Sequence, residues 1–179
     1  MSPKIEQRFW RCGAQPSPGV LPGQKITPFL WFDGKAEEAA NFYVSIFKNS
    51  KIVTVSRCGE QGPGPKGSVM MATFHLDGQE FHALNGGPMF AFSPAISFFV
   101  NCETQGEVDD LWAKLSAGGE TQRCGWLKDQ FGVSWQIIPT ALGRLMQDPD
   151  PVKAGRVMQA MLQMDKFDIQ KLQQAYDQH

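Results

Sequence analysis

The predicted elements of this chain follow one order twice. Up to the Asn85-Gly86-Gly87-Pro88 breaker, hydrophobic spacing predicts a strand, a helix and three strands. After the breaker a strand, a helix and two short strands follow in the same order. Because a repeated order of elements indicates a repeated structural unit, we expect an α+β fold built from two similar modules.

Turn residues set the limits of these elements. Asp77-Gly78 supplies the positive backbone angles that a two-residue hairpin turn requires. The first module is predicted to contain strands at 26–32 and 51–57, a helix at 35–47 and hairpin strands at 67–76 and 79–84. The second is predicted to contain a strand at 95–101, a helix at 105–117 and strands near 120–124 and 133–138.

Composition divides the chain into three segments. Residues 1–24 contain four prolines and no periodicity, which predicts a flexible leader. The paired modules occupy 25–139, at about 25–90 and 91–139. Residues 140–179 are predicted to be a helical extension of the same domain, interrupted by Pro149 and Pro151 and with Asp168 as a helix cap. Its Met158–Met164 cluster has the spacing of a packed stripe.

Charge and cysteine content narrow the classes of partner. With 17 basic and 18 acidic residues, the formal net charge of −1 gives no overall attraction for nucleic acid or anionic membranes. The longest apolar runs are strand-sized, and the four cysteines lack C-x-x-C spacing. We therefore expect a cytoplasmic protein with reduced thiols and with no nucleic-acid or membrane partner.

Three motifs carry a family resemblance. Asn85–Pro88, the Cys-Gly-Trp-Leu-Lys-Asp run at 124–129 and the Gly-Val-Ser-Trp-Gln run at 132–136 resemble the PhnB-like branch of the glyoxalase/bleomycin resistance/dioxygenase (vicinal oxygen chelate) superfamily. The resemblance implies two βαβββ modules whose curved sheet encloses a cavity, and a homodimer. Members of this branch often carry the label 3-demethylubiquinone-9 3-methyltransferase. The sequence contains no glycine-rich methyl-donor loop that would support that activity.

The same resemblance raises the question of a metal centre. Metal-dependent members of the superfamily take one ligand from each of four strands, and strand parity gives Thr27, His82, Ala95 and Gln136 at those positions. Zinc or iron needs about three imidazole, carboxylate or thiolate ligands, and a neutral amide is a poor substitute. We therefore expect no metal and no cofactor. The alternative is a metal centre in which Glu80 and His82 help to hold the ion.

The alternation of side chains along each strand also predicts the residues of an organic ligand pocket. Aromatic faces would hold a flat or apolar ligand, while Gln136 would fix its orientation. The alternative is that the aromatic side chains fill the hollow of the sheet or a contact between subunits. The predicted ligand-binding residues are Thr27, Phe29, Trp31, Thr73, His82, Ser97, Phe99, Ser134 and Gln136.

Three functions remain open at this point. The first is a metal-independent small-molecule-binding protein, with or without turnover of its ligand. The second is a metal-dependent lyase, isomerase or dioxygenase, and the third is a sequestering protein of the resistance type. No catalytic residue is assigned, because Cys124 has no evident histidine partner and Asp129 with Gly132 has the pattern of a D-x-x-G turn.

Overall fold

A computed structural model describes residues 24–178. Residues 1–23 of the predicted leader lie outside the described residues. The chain divides between Ala91 and Phe92 into two compact units, each with its own four-stranded mixed sheet. Within residues 24–178, every helix is too short or too polar to cross a lipid bilayer.

The first unit has the predicted order of elements. Its strands occur in the sheet order β1-β4-β3-β2, with β1 parallel to β4 and the other pairs antiparallel. The elements are β1 (Phe29–Phe32), α1 (Ala36–Ile46), β2 (Lys51–Arg57), β3 (Val69–Leu76) and β4 (Gln79–Asn85).

The β3–β4 hairpin determines which side chains face α1. Asp77 and Gly78 have φ angles of 46° and 80°, so the predicted two-residue turn is confirmed. Phe74 and Phe81 pair across the hairpin and stack at 5.5 Å between ring centroids. Tyr43 of α1 stacks on Phe74 at 6.2 Å, which makes this face the apolar core. Alternation sends the neighbouring residues of both strands to the opposite face, which we call the open face.

The Asn-Gly-Gly-Pro motif has a structural role at the end of β4. The Asn85 side chain accepts a hydrogen bond from the first backbone N–H of α1, at Ala36, and donates one to the carbonyl of Val69. A Cβ atom on Gly86 would lie only 2.2 Å from the ring of Trp31. The motif therefore ties α1 and β3 to β4 and leaves room for an indole ring against the backbone.

The second unit repeats this topology. Its sheet order is β5-β8-β7-β6, with β5 parallel to β8 and the other pairs antiparallel. The elements are β5 (Phe98–Cys102), α2 (Gln105–Ser116), β6 (Glu120–Thr121), β7 (Trp126–Lys128) and β8 (Ser134–Pro139). The prediction of two βαβββ modules is thus confirmed, and neither sheet is closed into a barrel.

Two strands of this unit differ from their predictions. The motif at 124–129 forms a turn only at Cys124 and Gly125, where φ is 59° and 77°, and then continues as the unpredicted strand β7. The strand predicted at 95–101 begins only at Phe98, because a turn in which Ile96 N–H donates to the Ser93 carbonyl precedes it. Ile96 therefore lies outside β5, and 78% of the residue is exposed.

Asp129 organises the turn between β7 and β8. Its carboxylate accepts hydrogen bonds from the backbone N–H groups of Phe131 and Val133 and from the indole N–H of Trp135. Gly132 takes a φ angle of 88°, which a residue with a side chain rarely adopts. The predicted D-x-x-G turn is confirmed, and the buried carboxylate also anchors Trp135 in the core.

The C-terminal extension contains α3 (Thr140–Met146), α4 (Pro151–Leu162) and α5 (Ile169–Asp177). Asp168 accepts a hydrogen bond from Lys171 N–H, so the predicted cap is confirmed. The predicted packed stripe is wrong for Met158 and Leu162, which are exposed, because Val157 is the α4 residue that turns into the core.

The extension docks on the Cys124-Gly125 turn. The backbone N–H groups of these two residues donate to the carbonyls of Met164 and Asp165 at 2.8 and 2.7 Å. The Cys124 thiol lies 3.7 Å from the Met161 carbonyl, and the buried ring of Phe167 covers Gly125. Cys124 therefore contacts the extension through both its backbone N–H and its thiol.

Candidate functional site

Four polar side chains lie together on the open face of the first sheet. Thr73 and His75 are on β3, and Glu80 and His82 are on β4. The strand register places Thr73 opposite His82 and His75 opposite Glu80. Because Phe74 and Phe81 face α1, the alternation along β3 and β4 places all four residues on the opposite face.

Glu80 is the centre of this group. It is only 1% exposed, and its two carboxylate oxygens approach different imidazoles: Oε1 lies 3.3 Å from Nε2 of His82, and Oε2 lies 3.5 Å from Nε2 of His75. Within residues 24–178, Oε2 and the His75 nitrogen make no hydrogen bond. Nδ1 of His82 is 3.2 Å from the Thr73 hydroxyl. The result is a buried array of hydroxyl, imidazole, carboxylate and imidazole.

Gln24 fixes the backbone beneath the Glu80 carboxylate. Its side-chain amide donates to the Glu80 carbonyl and accepts from the Glu80 N–H, both at 2.9 Å. The amide thereby makes the two hydrogen bonds that a neighbouring strand would make with the Glu80 backbone, at a point of β4 that β1 does not reach. The sequence placed Gln24 in the predicted leader, because a single glutamine before the first strand gives no signal of such a contact.

The predicted aromatic residues of the first unit have different surroundings. Phe29 is 57% exposed, lies opposite His82 in the register and stacks on its ring at 5.9 Å between centroids. Trp31 donates its indole N–H to the Gly87 carbonyl and touches Phe90 edge to face, so that its side chain packs against the segment after β4. Thr27 lies just before β1 and is half-buried. Of the predicted residues in the first unit, Phe29 and Thr73 therefore both contact His82.

The open face of the second sheet is centred on Gln136. This residue lies opposite Phe99 of β5 and Trp126 of β7, so that an amide is flanked by two aromatic residues. Its side-chain N–H donates to the hydroxyl of Ser97 at 2.8 Å, and Phe99 is 55% exposed. Ser134 lies on the same face but is buried. Trp126 was missed in the sequence because β7 was not predicted.

The side chains of the two open faces do not fit a transition-metal centre. Among residues 24–178, no three histidine, cysteine or acidic side chains are grouped so that they could hold a metal ion. In the first unit both Nε2 atoms approach one carboxylate from different oxygens. In the second unit the central group is a neutral amide, which replaces a carboxylate poorly as a ligand.

A separate groove of about 500 Å³ runs between α4 and α5. It contains none of the predicted ligand-binding residues. Arg156 in its wall donates to the carbonyls of Ala175 and Tyr176, and so it satisfies the last turn of α5. The groove is a feature of the packing of the extension, and the chemistry described above lies on the sheets.

Comparison with known proteins gives a family and a set of similar structures. Residues 24–138 match the family model described as 3-demethylubiquinone-9 3-methyltransferase. A Bacillus cereus structure, provisionally described as a 3-demethylubiquinone-9 3-methyltransferase and PhnB protein, is 46% identical with a TM-score of 0.62. That similarity covers 65% of this chain and 100% of the other.

A Pseudomonas aeruginosa structure with no stated function is 23% identical with a TM-score of 0.55, over 65% of this chain and 97% of the other. A glyoxylase/bleomycin resistance protein/dioxygenase domain from Frankia is 15% identical with a TM-score of 0.44, over 65% and 91%. No curated protein matches the chain significantly.

Proposed function

Because this chain belongs to the 3-demethylubiquinone-9 3-methyltransferase family and is PhnB-like, we propose that it is a small-molecule-binding protein that works without a transition metal. One observation carries this proposal. In each unit the parallel strand pair places an exposed phenylalanine opposite a hydrogen-bonding side chain: Phe29 opposite His82, and Phe99 opposite Gln136. The two pairs occupy equivalent positions in the two sheets, β1–β4 and β5–β8.

The chemistry of these pairs favours a flat organic ligand. An exposed aromatic ring gives apolar contact area and a stacking surface, and a neighbouring amide or imidazole fixes orientation through hydrogen bonds. The Ser97 hydroxyl holds the plane of the Gln136 amide in advance. Ligand contacts are proposed for the whole predicted set, with Phe29, His82, Phe99 and Gln136 contributing most.

The donor set supports independence from metal. An amide at Gln136 and a hydroxyl at Thr27 can orient an organic group but bind zinc or iron weakly. A metal-dependent lyase, isomerase or dioxygenase would need a stronger set than the described residues bring together. Simple sequestration and turnover of the ligand both remain compatible with the two pairs.

The methyltransferase activity in the family name is not part of this proposal. Methyl-donor sites of the doubly wound type place a glycine-rich loop between a strand and the helix that follows it. Here the β1–α1 connection has a single glycine, Gly34, and the β5–α2 connection has none. The glycine-rich segment at 59–67 joins two strands instead.

A homodimer and a cytoplasmic location complete the proposal. Exposed apolar side chains in the first unit, at Ile26, Met89 and Phe90, support a contact with a second copy. The free thiols of Cys58, Cys102 and Cys124 support a reducing compartment. Light scattering after size exclusion should give twice the 19.9 kDa chain mass, and a monomer over the whole concentration range would contradict the dimer.

A fragment screen tests the binding proposal. Ligand-observed NMR with a library of flat aromatic and heteroaromatic fragments should identify binders that remain bound in EDTA. Phe29→Ala or Gln136→Ala should weaken the best fragment about tenfold, equivalent to ~1.4 kcal/mol. Ile96→Ala is the matched control, because Ile96 is an exposed apolar side chain with no polar partner opposite it in a sheet. Binding unaffected by either substitution, or no binding fragment, would contradict the proposal.

A further inference from the structure

The hydrogen bond between Gln136 and Ser97 determines which atom of the amide is free to meet a ligand. Nε2 of Gln136 donates to the Ser97 hydroxyl at 2.8 Å, and among residues 24–178 Oε1 of Gln136 accepts no hydrogen bond. This oxygen is reached by solvent, because the buried side-chain atoms without a partner in this part of the chain are His75 Nε2 and Glu80 Oε2. The open face of the second sheet therefore presents an accessible amide oxygen.

We propose that Gln136 Oε1 selects, among flat ligands, those that carry an N–H or O–H donor on the edge of the ring. This inference rests on the proposed function, because it concerns the ligand of the Phe99–Gln136 pair. An amide oxygen accepts hydrogen bonds and cannot donate them. A flat ligand that covers this oxygen removes its solvent, so a ligand without a donor leaves it unpaired and loses affinity.

Two aromatic side chains limit where the ring of a ligand can lie. Phe99 of β5 and Trp126 of β7 are the register partners of Gln136, so the three side chains form a row across neighbouring strands. Phe99 is 55% exposed and Trp126 is half-buried. Because neighbouring strands lie about 4.8 Å apart, a ring stacked on either aromatic side chain brings its edge to the amide. The edge of the ligand, where its donors are, therefore meets Oε1.

The charges around Gln136 favour a neutral donor. Among the register partners of β8, Lys128 is the one charged residue, and it lies opposite Ser134. Its ammonium group already pairs with Glu120 at 2.8 Å. An ionised ligand group would lose solvent on this face without gaining an unpaired counter-charge. The ligand class that fits is a neutral ring with a lactam N–H, a heteroaromatic N–H or a phenolic hydroxyl.

Ser97 acts as a positioning residue for the amide. A serine hydroxyl can accept or donate, whereas Nε2 can only donate, so the bond to Ser97 holds the nitrogen end of the amide and leaves the oxygen end for the ligand. Without the hydroxyl, either end of the amide can turn towards a ligand. Ser97→Ala should therefore lower the preference for donor-bearing ligands more than it lowers binding itself.

A matched pair of flat probes tests the preference. N-methyl-2-quinolone keeps the ring and the carbonyl of 2-quinolone but lacks its N–H donor. NMR titration in EDTA should give a dissociation constant about fivefold lower for 2-quinolone, equivalent to ~1 kcal/mol. Gln136→Leu should reduce this ratio to about one, whereas Gln136→Glu should retain it because an accepting oxygen remains. Ser97→Ala should give an intermediate ratio.

Ile96→Ala is the matched control, because it truncates the exposed neighbour of Ser97 and should leave the ratio unchanged. Equal dissociation constants for the two probes in the wild-type protein would overturn the preference and leave the proposed function standing. A ratio that persists in Gln136→Leu would also overturn it, because the methyl group would then be rejected for its size. Binding of donor-free flat fragments without any binding of 2-quinolone has the same consequence. Failure of every flat fragment to bind contradicts the proposed function itself.

Discussion

At the scale of single residues, Gly125 lies in the turn before β7 on which the extension docks. A Cβ atom there would lie 2.6 Å from the Phe167 ring and 2.7 Å from the Ile137 carbonyl, at a φ angle of 77°. We expect Gly125→Ala to lower the free energy of unfolding by about 2–3 kcal/mol, measured by urea denaturation. Gly155→Ala is the control, because open space surrounds this helical glycine and we expect stabilisation by ~0.5–1 kcal/mol. Equal effects would contradict this account of the turn.

A second prediction at this scale concerns the hydrogen bonds of Asp129. Asp129→Asn replaces one accepting oxygen by an N–H₂ group, while the Phe131, Val133 and Trp135 donors remain. We expect a loss of about 2–3 kcal/mol of unfolding free energy and a shift of the tryptophan emission to longer wavelength. Asp110→Asn serves as control, since this exposed carboxylate pairs with Lys114 on the same helix. A neutral effect of Asp129→Asn would contradict the anchoring of Trp135.

The buried thiol of Cys102 should make the free energy of unfolding depend on pH. Burial, reinforced by the nearby carboxylates of Glu107 and Glu103, raises the pKa of its thiol from 9.0 to about 12. Above about pH 9 the unfolded thiol loses its proton while the folded thiol keeps it, so the unfolded state binds fewer protons and stability falls as pH rises. Between pH 9 and 11, the wild-type protein should therefore lose stability more steeply than Cys102→Ala, by up to ~1.4 kcal/mol per pH unit. Parallel stability curves for the two proteins would contradict a buried neutral thiol.

Local sequence signals were sufficient for some of these residues and not for others. Asp129 and Asp168 could be assigned because a turn and a helix cap involve neighbours a few positions away. The burial of Glu80 could not be predicted, because burial depends on tertiary packing and the sequence indicates only an ordinary cross-strand pair of Glu and His. The Gln24 contact spans 56 positions in sequence and leaves no local pattern.

At the scale of elements, alternation within strands predicted which side chains share a face. It placed Thr73, His82 and Gln136 among the predicted pocket residues, and the register puts each of them on an open face. It failed for β7, which has only three residues and is too short to show a period of two. The late start of β5 arises from a turn that hydrophobic spacing alone does not reveal.

The extension provides a prediction at this scale. Phe167 is fully buried against Gly125, so Phe167→Ala should cost about 3–5 kcal/mol and loosen the attachment of α4 and α5. Limited proteolysis should then cut near residues 163–168 faster than in the wild-type protein. Met158→Ala, an exposed substitution on α4, should leave both stability and cleavage unchanged. Resistance of Phe167→Ala to cleavage would show that the extension docks by other contacts.

At the scale of the whole molecule, repetition was the most predictive property of the sequence. The two sheets share the order of strands and the single parallel pair, although the second unit carries an extension that lies outside the family match at 24–138. The equivalent positions diverge in chemistry, with His82 in the first unit and Gln136 in the second. The two sheets therefore repeat one framework and present different hydrogen-bonding groups at the equivalent position.

The central claim is that this framework binds a flat organic molecule without a transition metal. Its most direct test is the dissociation constant of the best aromatic fragment, measured once in EDTA and once with equimolar zinc or manganese. We predict the same value in both conditions, because phenylalanine, imidazole and amide groups supply the contacts. Fragment binding that occurs only after metal is added, with one ion per chain, would contradict the account.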